Sequence, residues 1–86
     1  MKTVLVTGGA GFIGGNFVHF LMGATDARIV NLDKLTYAGN LDPLAQFRAS
    51  PRHLFIEGDI CDRRLVSDLL AKYEIDAVVN FAAESH

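Results

Sequence analysis

The 86-residue chain is half hydrophobic by composition and carries ten acidic residues against eight basic ones, which gives a formal net charge of −2 at pH 7. This length supports one small core, and the balanced charge, without long like-charge runs, indicates neither a nucleic-acid surface nor a membrane-surface helix. The single cysteine cannot form an internal disulfide. The sequence also contains no signal-peptide pattern and no apolar run of about 18 residues. We therefore expect a reduced, soluble, cytoplasmic protein whose charge is compatible with a small neutral or anionic ligand.

Strand-like and helix-like segments alternate along the chain. The β-branched segment KTVLVT (2–7) predicts a strand. The segment FIGGNFVHFLM (12–22) predicts a helix, with apolar residues at helical spacing at Ile13, Phe17, Phe20 and Leu21. Further strands are predicted at 28–33, 53–58 and 76–83, and further helices at 40–50 and 62–73. The order βαβαβαβ predicts a Rossmann-type, doubly wound α/β fold, a parallel sheet with right-handed crossovers and helices on both faces.

The second and third predicted helices have local start signals. For the second, Asn40 or Asp42 is the predicted N-cap and Pro43 lies in the first turn. For the third, Asp62 is the predicted N-cap. The third helix is predicted to carry four apolar or aromatic residues on one face, Val66, Leu69, Leu70 and Tyr73.

A glycine-rich segment, TGGAGFIGG, occupies the first strand-to-helix turn and places five glycines in nine residues. Gly9, Gly11 and Gly14 satisfy the G-x-G-x-x-G fingerprint, and Gly8, Gly11 and Gly14 satisfy the related G-x-x-G-x-x-G pattern. A helix N-terminus presents unpaired N–H groups and a positive dipole end, so phosphate is the natural ligand. A P-loop requires a Lys-Ser/Thr pair after the last glycine, and none follows. A dinucleotide pyrophosphate site is predicted, and the alternative is a purely structural glycine turn.

Asp33 ends the second predicted strand, nineteen residues after Gly14. A carboxylate at this place accepts hydrogen bonds from a ribose diol and repels a 2′-phosphate, which favours NAD over NADP. Lys34 counts against this selectivity because a base beside the acid could tolerate a phosphate. The alternative interpretation is that Asp33 caps a turn.

Several segments together resemble the N-terminal part of the dTDP-glucose 4,6-dehydratase family. These are TGGAGFIG, LDKLTYAGNL, GDICD and NFAAESH, and the resemblance runs over the whole chain. TGGAGFIG is shared widely among the extended short-chain dehydrogenases/reductases, whereas DKLTYAGNL with AAESH is more specific to these nucleotide-sugar dehydratases. The resemblance implies an NAD-dependent enzyme of deoxysugar biosynthesis that converts dTDP-glucose to dTDP-4-keto-6-deoxyglucose.

The resemblance also implies roles for individual residues. Along the pyrophosphate it places Gly8, Gly11, Phe12, Ile13 and Gly14, and around the adenosine ribose it places Asp33, Lys34, Leu35 and Thr36. Asp59 and Ile60 would hold the adenine, although a strand-to-helix turn with an N-cap is the alternative interpretation. Beside the nicotinamide half it places Phe81, Ala82, Ala83, Glu84 and Ser85, with Ser85 also near the sugar substrate.

The catalytic residues that the resemblance implies lie outside this sequence. The family's Tyr-x-x-x-Lys pair and its Thr-Asp-Glu acid/base group come after His86, so no catalytic residue is assigned here. We expect residues 1–86 to form a partial NAD-binding domain that by itself is inactive, marginally folded and prone to associate through the fourth strand. A homodimer is expected for the full-length protein.

Two other functions compete with this interpretation. One is a different NAD-dependent nucleotide-sugar epimerase or decarboxylase, and the other is a non-catalytic dinucleotide-binding module. Metal binding is not predicted, because His19, His53 and His86 lack ligand spacing. Cys61 is interpreted as a structural thiol, because no paired base accompanies it in the sequence.

Overall fold

A computed structural model describes residues 2–8, 12–34, 47 and 50–81. These residues form four strands and two helices: β1 (Thr3–Thr7), α1 (Phe12–Ala24), β2 (Arg28–Asp33), β3 (His53–Glu57), α2 (Arg63–Lys72) and β4 (Ala77–Asn80). Each described element overlaps a predicted one, and β2 begins and ends at the predicted residues. The helix predicted at 40–50 lies outside the described residues except for Phe47 and Ser50.

The four strands form one parallel sheet in the order β3-β2-β1-β4. From β1, the chain first adds β2 and β3 on one side and then crosses to add β4 on the other. This confirms the predicted doubly wound topology and makes the β1–β4 boundary the point at which the strand order reverses. In such sheets, ligands bind outside the carboxyl ends of the strands at that point.

The two helices cover opposite faces of the sheet, as predicted. Alternate residues of a strand point to opposite faces. Accordingly, Val4 and Val6 belong to a cluster with Val18 of α1, whereas Leu5 belongs to a second cluster with Leu69 of α2. All five residues of β1 are buried, which is the pattern of a strand covered on both sides.

Not all of the apolar residues that helical spacing groups together are buried. Ile13 and Phe20 of α1 are 67% and 62% exposed, and Leu70 of α2 is 39% exposed. The buried side of α1 is formed instead by Phe17, Val18, Leu21 and Met22. On α2, Leu65 joins Val66, Leu69 and Tyr73 against the sheet. The sequence has more apolar residues than one face can hold, so only the crossing of each helix over the sheet decides which of them are buried.

The first residue of β1 and the residue before β4 are joined by two hydrogen bonds. The Thr3 N–H donates to Asp76 Oδ2 at 2.8 Å, and the Asp76 N–H donates to the Thr3 carbonyl at 2.8 Å. Both residues lie where the parallel strands start. The amino edge of the sheet is therefore closed by its own side chains at this point.

Arg52, which precedes β3, closes a second part of the same edge. Its guanidinium donates to one carbonyl in the last turn of α1, that of Met22 (3.3 Å), and to two in the α1–β2 connection, those of Thr25 (2.5 Å) and Ala27 (3.0 Å). Cations at the C-terminal end of a helix also interact favourably with the helix dipole. Arg52 thus fastens the segment before β3 to the end of α1. Neither described helix is long and apolar enough to cross a membrane.

Candidate functional site

The predicted ligand-binding residues that the structure describes gather at the carboxyl edge of the sheet. Gly8 follows β1, Asp33 ends β2 and Phe81 follows β4. Because carboxyl ends of parallel strands lie on the same edge, three segments far apart in sequence are brought together. The described members of the predicted set are Gly8, Phe12, Ile13, Gly14, Asp33, Lys34, Asp59, Ile60 and Phe81. Outside the described residues lie Gly11, Leu35, Thr36, Ala82, Ala83, Glu84 and Ser85.

Gly8, the part of the glycine turn before α1 that the structure describes, has a backbone conformation that favours glycine. Gly8 has a φ of 79°, in the region that costs a residue with a Cβ atom roughly 1–2 kcal/mol. Its N–H donates to the Leu32 carbonyl at 3.0 Å, which fixes the start of the turn to β2. The helix that follows has no acidic residue in its first turn. This arrangement suits an anion at the start of α1.

Two further predicted pyrophosphate residues differ in their exposure. Gly14 is buried in the first turn of α1. Ile13 is 67% exposed, so little of its apolar surface is buried in the core. An exposed isoleucine beside a strand-to-helix turn is accessible to a ligand that lies along that turn.

Asp33 ends β2 and is only 5% exposed. Its carbonyl accepts a hydrogen bond of 2.9 Å from the Gly58 N–H, which links the ends of β2 and β3. Acidic residues are rarely this buried unless their charge is compensated. The carboxylate is therefore held at a strand end rather than at the tip of a mobile surface side chain.

Lys34 and Asp59 form an ion pair between the ends of β2 and β3. The Nζ–Oδ2 distance is 3.5 Å, and the two side chains are 53% and 45% exposed. The other carboxylate oxygen, Oδ1, accepts the Cys61 N–H at 2.8 Å. The pKa of Asp59 is below its ordinary value, chiefly because of the Cys61 backbone hydrogen bond and also because of the Lys34 charge. The adjacent Ile60 is half-buried.

The β1–β4 boundary is held by a pair of polar residues that the sequence interpretation did not assign to the site. Thr7 Oγ1 donates to Asn80 Oδ1 at 2.5 Å, and the Phe81 N–H donates to the Thr7 carbonyl at 2.7 Å. The Phe81 ring lies 5.2 Å from the Phe17 ring of α1. Two sequence features could have pointed to this pair. Thr7 directly precedes the glycines, and Asn80 is the only polar residue of β4.

Asn31 is a second residue that sequence reasoning missed. It is 0% exposed, and neither polar atom of its amide has a hydrogen-bond partner in the part of the chain that the structure describes. A buried polar group without a partner costs free energy, so such groups commonly meet a ligand or an ordered water. One sequence feature could have pointed to Asn31: it is the only side-chain amide in the strand RIVNLD, and it lies two residues before Asp33.

The described residues offer no candidate metal centre. No three His, Cys, Asp or Glu side chains among them lie close enough together to hold a metal ion. Cys61 is exposed, and its backbone N–H is bound to Asp59 as described above. The described side chains at the ends of β2 and β3 offer the carboxylates of Asp33, Glu57 and Asp59 and the ammonium group of Lys34, beside the Gly8 turn.

Comparisons with known proteins agree with this geometry. The family model described as GDP-mannose 4,6-dehydratase matches residues 5–86. The chain is 58% identical to a dTDP-glucose 4,6-dehydratase of Xanthomonas campestris pv. campestris, over 100% of this chain and 24% of that protein. It is 60% identical to a low-salt glycan biosynthesis protein of Haloferax volcanii, over 96% of this chain and 26% of that protein.

A solved structure gives the same result in three dimensions. The dTDP-glucose 4,6-dehydratase of Bacillus anthracis in complex with NAD matches with a TM-score of 0.92 and 40% identity, over 98% of this chain and 27% of that one. The chain thus spans about a quarter of the length of the relatives it matches. These findings confirm the resemblance to the dTDP-glucose 4,6-dehydratases, and the chain belongs to the GDP-mannose 4,6-dehydratase family.

Proposed function

We propose that this chain is the NAD-binding N-terminal part of a dTDP-glucose 4,6-dehydratase. The observation that carries the proposal is the meeting of the Gly8 turn, the start of α1 and the Asp33 carboxylate at the carboxyl edge, in a fold that matches an NAD-bound dehydratase. The strand order reverses at the same edge. The buried Asn31 amide, which lacks a described partner, adds unused polar capacity near this edge.

Each group at this edge has a task in the proposed site. The glycine turn and the first N–H groups of α1 would hold the pyrophosphate, because they combine close backbone approach with a positive dipole end. Asp33 would accept the hydroxyls of the adenosine ribose. Asp59 would accept the exocyclic amine of the adenine, with Ile60 against the ring. Phe81 would lie towards the nicotinamide half, followed by 82–85, with Ser85 also near the sugar.

The bound dinucleotide would supply a hydride acceptor and donor, and transient oxidation of a sugar acidifies the proton beside the new carbonyl. The chain's own contribution is to bind and orient the cofactor. We propose that proton transfer and most of the sugar contacts belong to residues outside 1–86. On this proposal, residues 1–86 alone would bind NAD but would not catalyse the dehydration of the sugar nucleotide.

The direct test uses the protein expressed from its complete reading frame. Incubated with dTDP-glucose and NAD, it should form the 4-keto-6-deoxy sugar nucleotide without net reduction of the cofactor. An epimerised or decarboxylated product from another sugar nucleotide would instead assign the chain to a related enzyme. Tight NAD binding with no turnover of any sugar nucleotide would favour a binding module.

The Asp33 carboxylate provides a sharper test of the cofactor site. Asp33→Ala should weaken NAD binding by about 1.5–3 kcal/mol, because a charge-assisted acceptor for the ribose is lost. Isothermal titration calorimetry measures the change. Asp68→Asn, an exposed position on α2, is the charge-matched control and should leave the affinity unchanged. Equal NAD affinity in Asp33→Ala and the parent protein would exclude the ribose role.

The assembly and the location of the protein follow from separate arguments. From the family resemblance we propose a homodimer, and from the single cysteine we propose the reducing cytoplasm. No partner besides the sugar nucleotide and the cofactor is proposed. Sedimentation of the purified protein over a range of concentrations tests the dimer, because a single monomeric species throughout would contradict it.

A further inference from the structure

Lys34 left the cofactor preference open in the sequence, because a lysine beside Asp33 could hold a 2′-phosphate. Given the proposed NAD site, on which this inference rests, we propose that Asp59 is a second determinant of NAD over NADP. It acts as a positioning residue by holding the Lys34 ammonium away from the place where a 2′-phosphate would lie.

The geometry gives Asp59 two simultaneous partners on its two oxygens. Oδ1 accepts the Cys61 backbone N–H at 2.8 Å, and Oδ2 lies 3.5 Å from Lys34 Nζ. The first contact is made by backbone, so it fixes the direction of the carboxylate. The second contact then gives the flexible lysine a preferred position on the β3 side of Asp33.

The two charges beside the ribose position differ in freedom. Asp33 is 5% exposed at the end of a strand, whereas the Lys34 side chain is 53% exposed. Of these two, the lysine is the one that can move to meet a new anion. Its position therefore decides how the ribose end of the site responds to a phosphate.

The local charge balance makes this position matter. The ends of β2 and β3 carry Asp33, Glu57 and Asp59 against Lys34, three acidic residues and one basic residue, which is a net charge of −2. Asp33 and Glu57 are partners in the strand register. A 2′-phosphate adds roughly 1.5–2 further negative charges. It would compete with Asp59 for the Lys34 ammonium.

The size of the effect is set by exposure. Both side chains of the pair are about half exposed, so solvent and salt screen their attraction. The pair therefore adjusts a preference that Asp33 already creates. We expect Asp59 to change the NADP-to-NAD ratio of dissociation constants by about fivefold, a change typical of one partly screened charge.

The main experiment is the Asp59→Asn variant of the protein expressed from its complete reading frame. Asparagine keeps one oxygen for the Cys61 N–H, but it loses the charge that holds Lys34. The second acceptor oxygen is also lost, and because the adenine is the same in NAD and NADP, that loss cancels in the ratio. Dissociation constants for NAD and NADP are measured at low and at high salt. We expect the NADP-to-NAD ratio to fall about fivefold at low salt and by less at high salt, where charges are screened.

A double variant separates release of the lysine from simple removal of an acid. In Lys34→Gln/Asp59→Asn no ammonium is released, so most of the gain in NADP binding should disappear. Asp68→Asn removes one acid elsewhere, on α2, and should leave the ratio unchanged. If the double variant gains NADP affinity to the same extent, the gain comes from the loss of a negative charge or from Arg63 and Arg64 at the start of α2, and not from Lys34. That result would overturn the inference.

A single variant keeps the inference testable if Asp59→Asn fails to fold. Lys34→Gln alone should change the NADP-to-NAD ratio by less than about twofold, because the lysine is already committed to Asp59. A large loss of NADP affinity in this variant would show that Lys34 serves the phosphate directly and would overturn the inference. Failure of the parent protein to bind NAD would instead contradict the proposed function, which is a separate outcome.

Discussion

The two edges of the sheet use their polar groups differently. At the amino edge, Asp76 and Thr3 exchange two hydrogen bonds, and Arg52 donates to three carbonyls at the end of α1 and in the α1–β2 connection. At the carboxyl edge, the described contacts of Lys34 and Asp59 are a screened ion pair and one backbone hydrogen bond. These amino-edge groups bind one another, whereas the Lys34 and Asp59 side chains stay about half exposed and accessible to a ligand.

This difference has a physical cause. No ligand is proposed for the amino edge, so the hydrogen bonds among its own described groups serve to lower the free energy of the native state. A binding edge must keep donors and acceptors that a ligand can use, at some cost in stability. Variants at the amino edge should therefore change unfolding, whereas charge changes at the carboxyl edge should mainly change binding.

The largest effect is expected at Arg52. Arg52→Leu removes three charge-assisted hydrogen bonds, and we expect the free energy of unfolding to fall by about 3 kcal/mol, with the partial exposure of the side chain limiting the loss. Urea unfolding followed by circular dichroism measures it. Arg64→Leu, an exposed arginine on α2, should change stability by less than about 0.5 kcal/mol. Similar unfolding curves for both variants would contradict the role of Arg52, and NAD affinity should be the same in both.

A smaller effect is expected from a matched pair of glycine substitutions. Gly8→Ala places a Cβ atom at φ 79° and should destabilise the protein by about 1–2 kcal/mol while also weakening NAD binding. Gly23→Ala lies near the end of α1, where an added Cβ atom meets nothing within 4 Å. It should stabilise the protein by about 0.5–1 kcal/mol. Opposite shifts in the urea midpoint are expected, and shifts of the same sign would refute the strained turn.

The smallest effect is the pH dependence that Asp59 contributes. Its folded-state pKa is lowered below the ordinary 3.8, so its contribution to stability is present above that value. The contribution is lost as the pH falls through the lowered pKa, which places the change below about pH 4. Unfolding curves between pH 2 and pH 6, compared for the parent and Asp59→Asn, measure it. A variant that loses stability in parallel with the parent would show that other carboxylates cause the whole change.

The positions and order of the strands and helices could be predicted because they depend on local sequence patterns. The β-branched runs, the glycine turn and the Asp62 cap each act within a few residues, and Asp62 does accept the Leu65 N–H at 3.1 Å. The alternation of strand and helix then leaves few topologies, since parallel crossovers are right-handed. The sheet order and the two covered faces followed from this limited choice.

The buried side of each helix could not be predicted in the same way. Ile13 and Phe20 are as apolar as Phe17 and Leu21, and helical spacing alone allows either set to face the sheet. The same limit applies to polar groups, because the Thr7–Asn80 hydrogen bond joins residues 73 positions apart. A pattern read over a few neighbouring residues cannot predict a contact between residues so far apart in the sequence.

By itself, therefore, the sequence determined the elements, their order and the edge at which a dinucleotide would bind, because each depends on propensity, periodicity and short motifs. Only the tertiary structure decided that Lys34 lies beside Asp59, that Asn31 is buried without a described partner and that Arg52 fastens the end of α1. Those contacts depend on how β3 is placed next to β2. That placement is set by packing of the whole sheet against its two helices, which no short segment encodes.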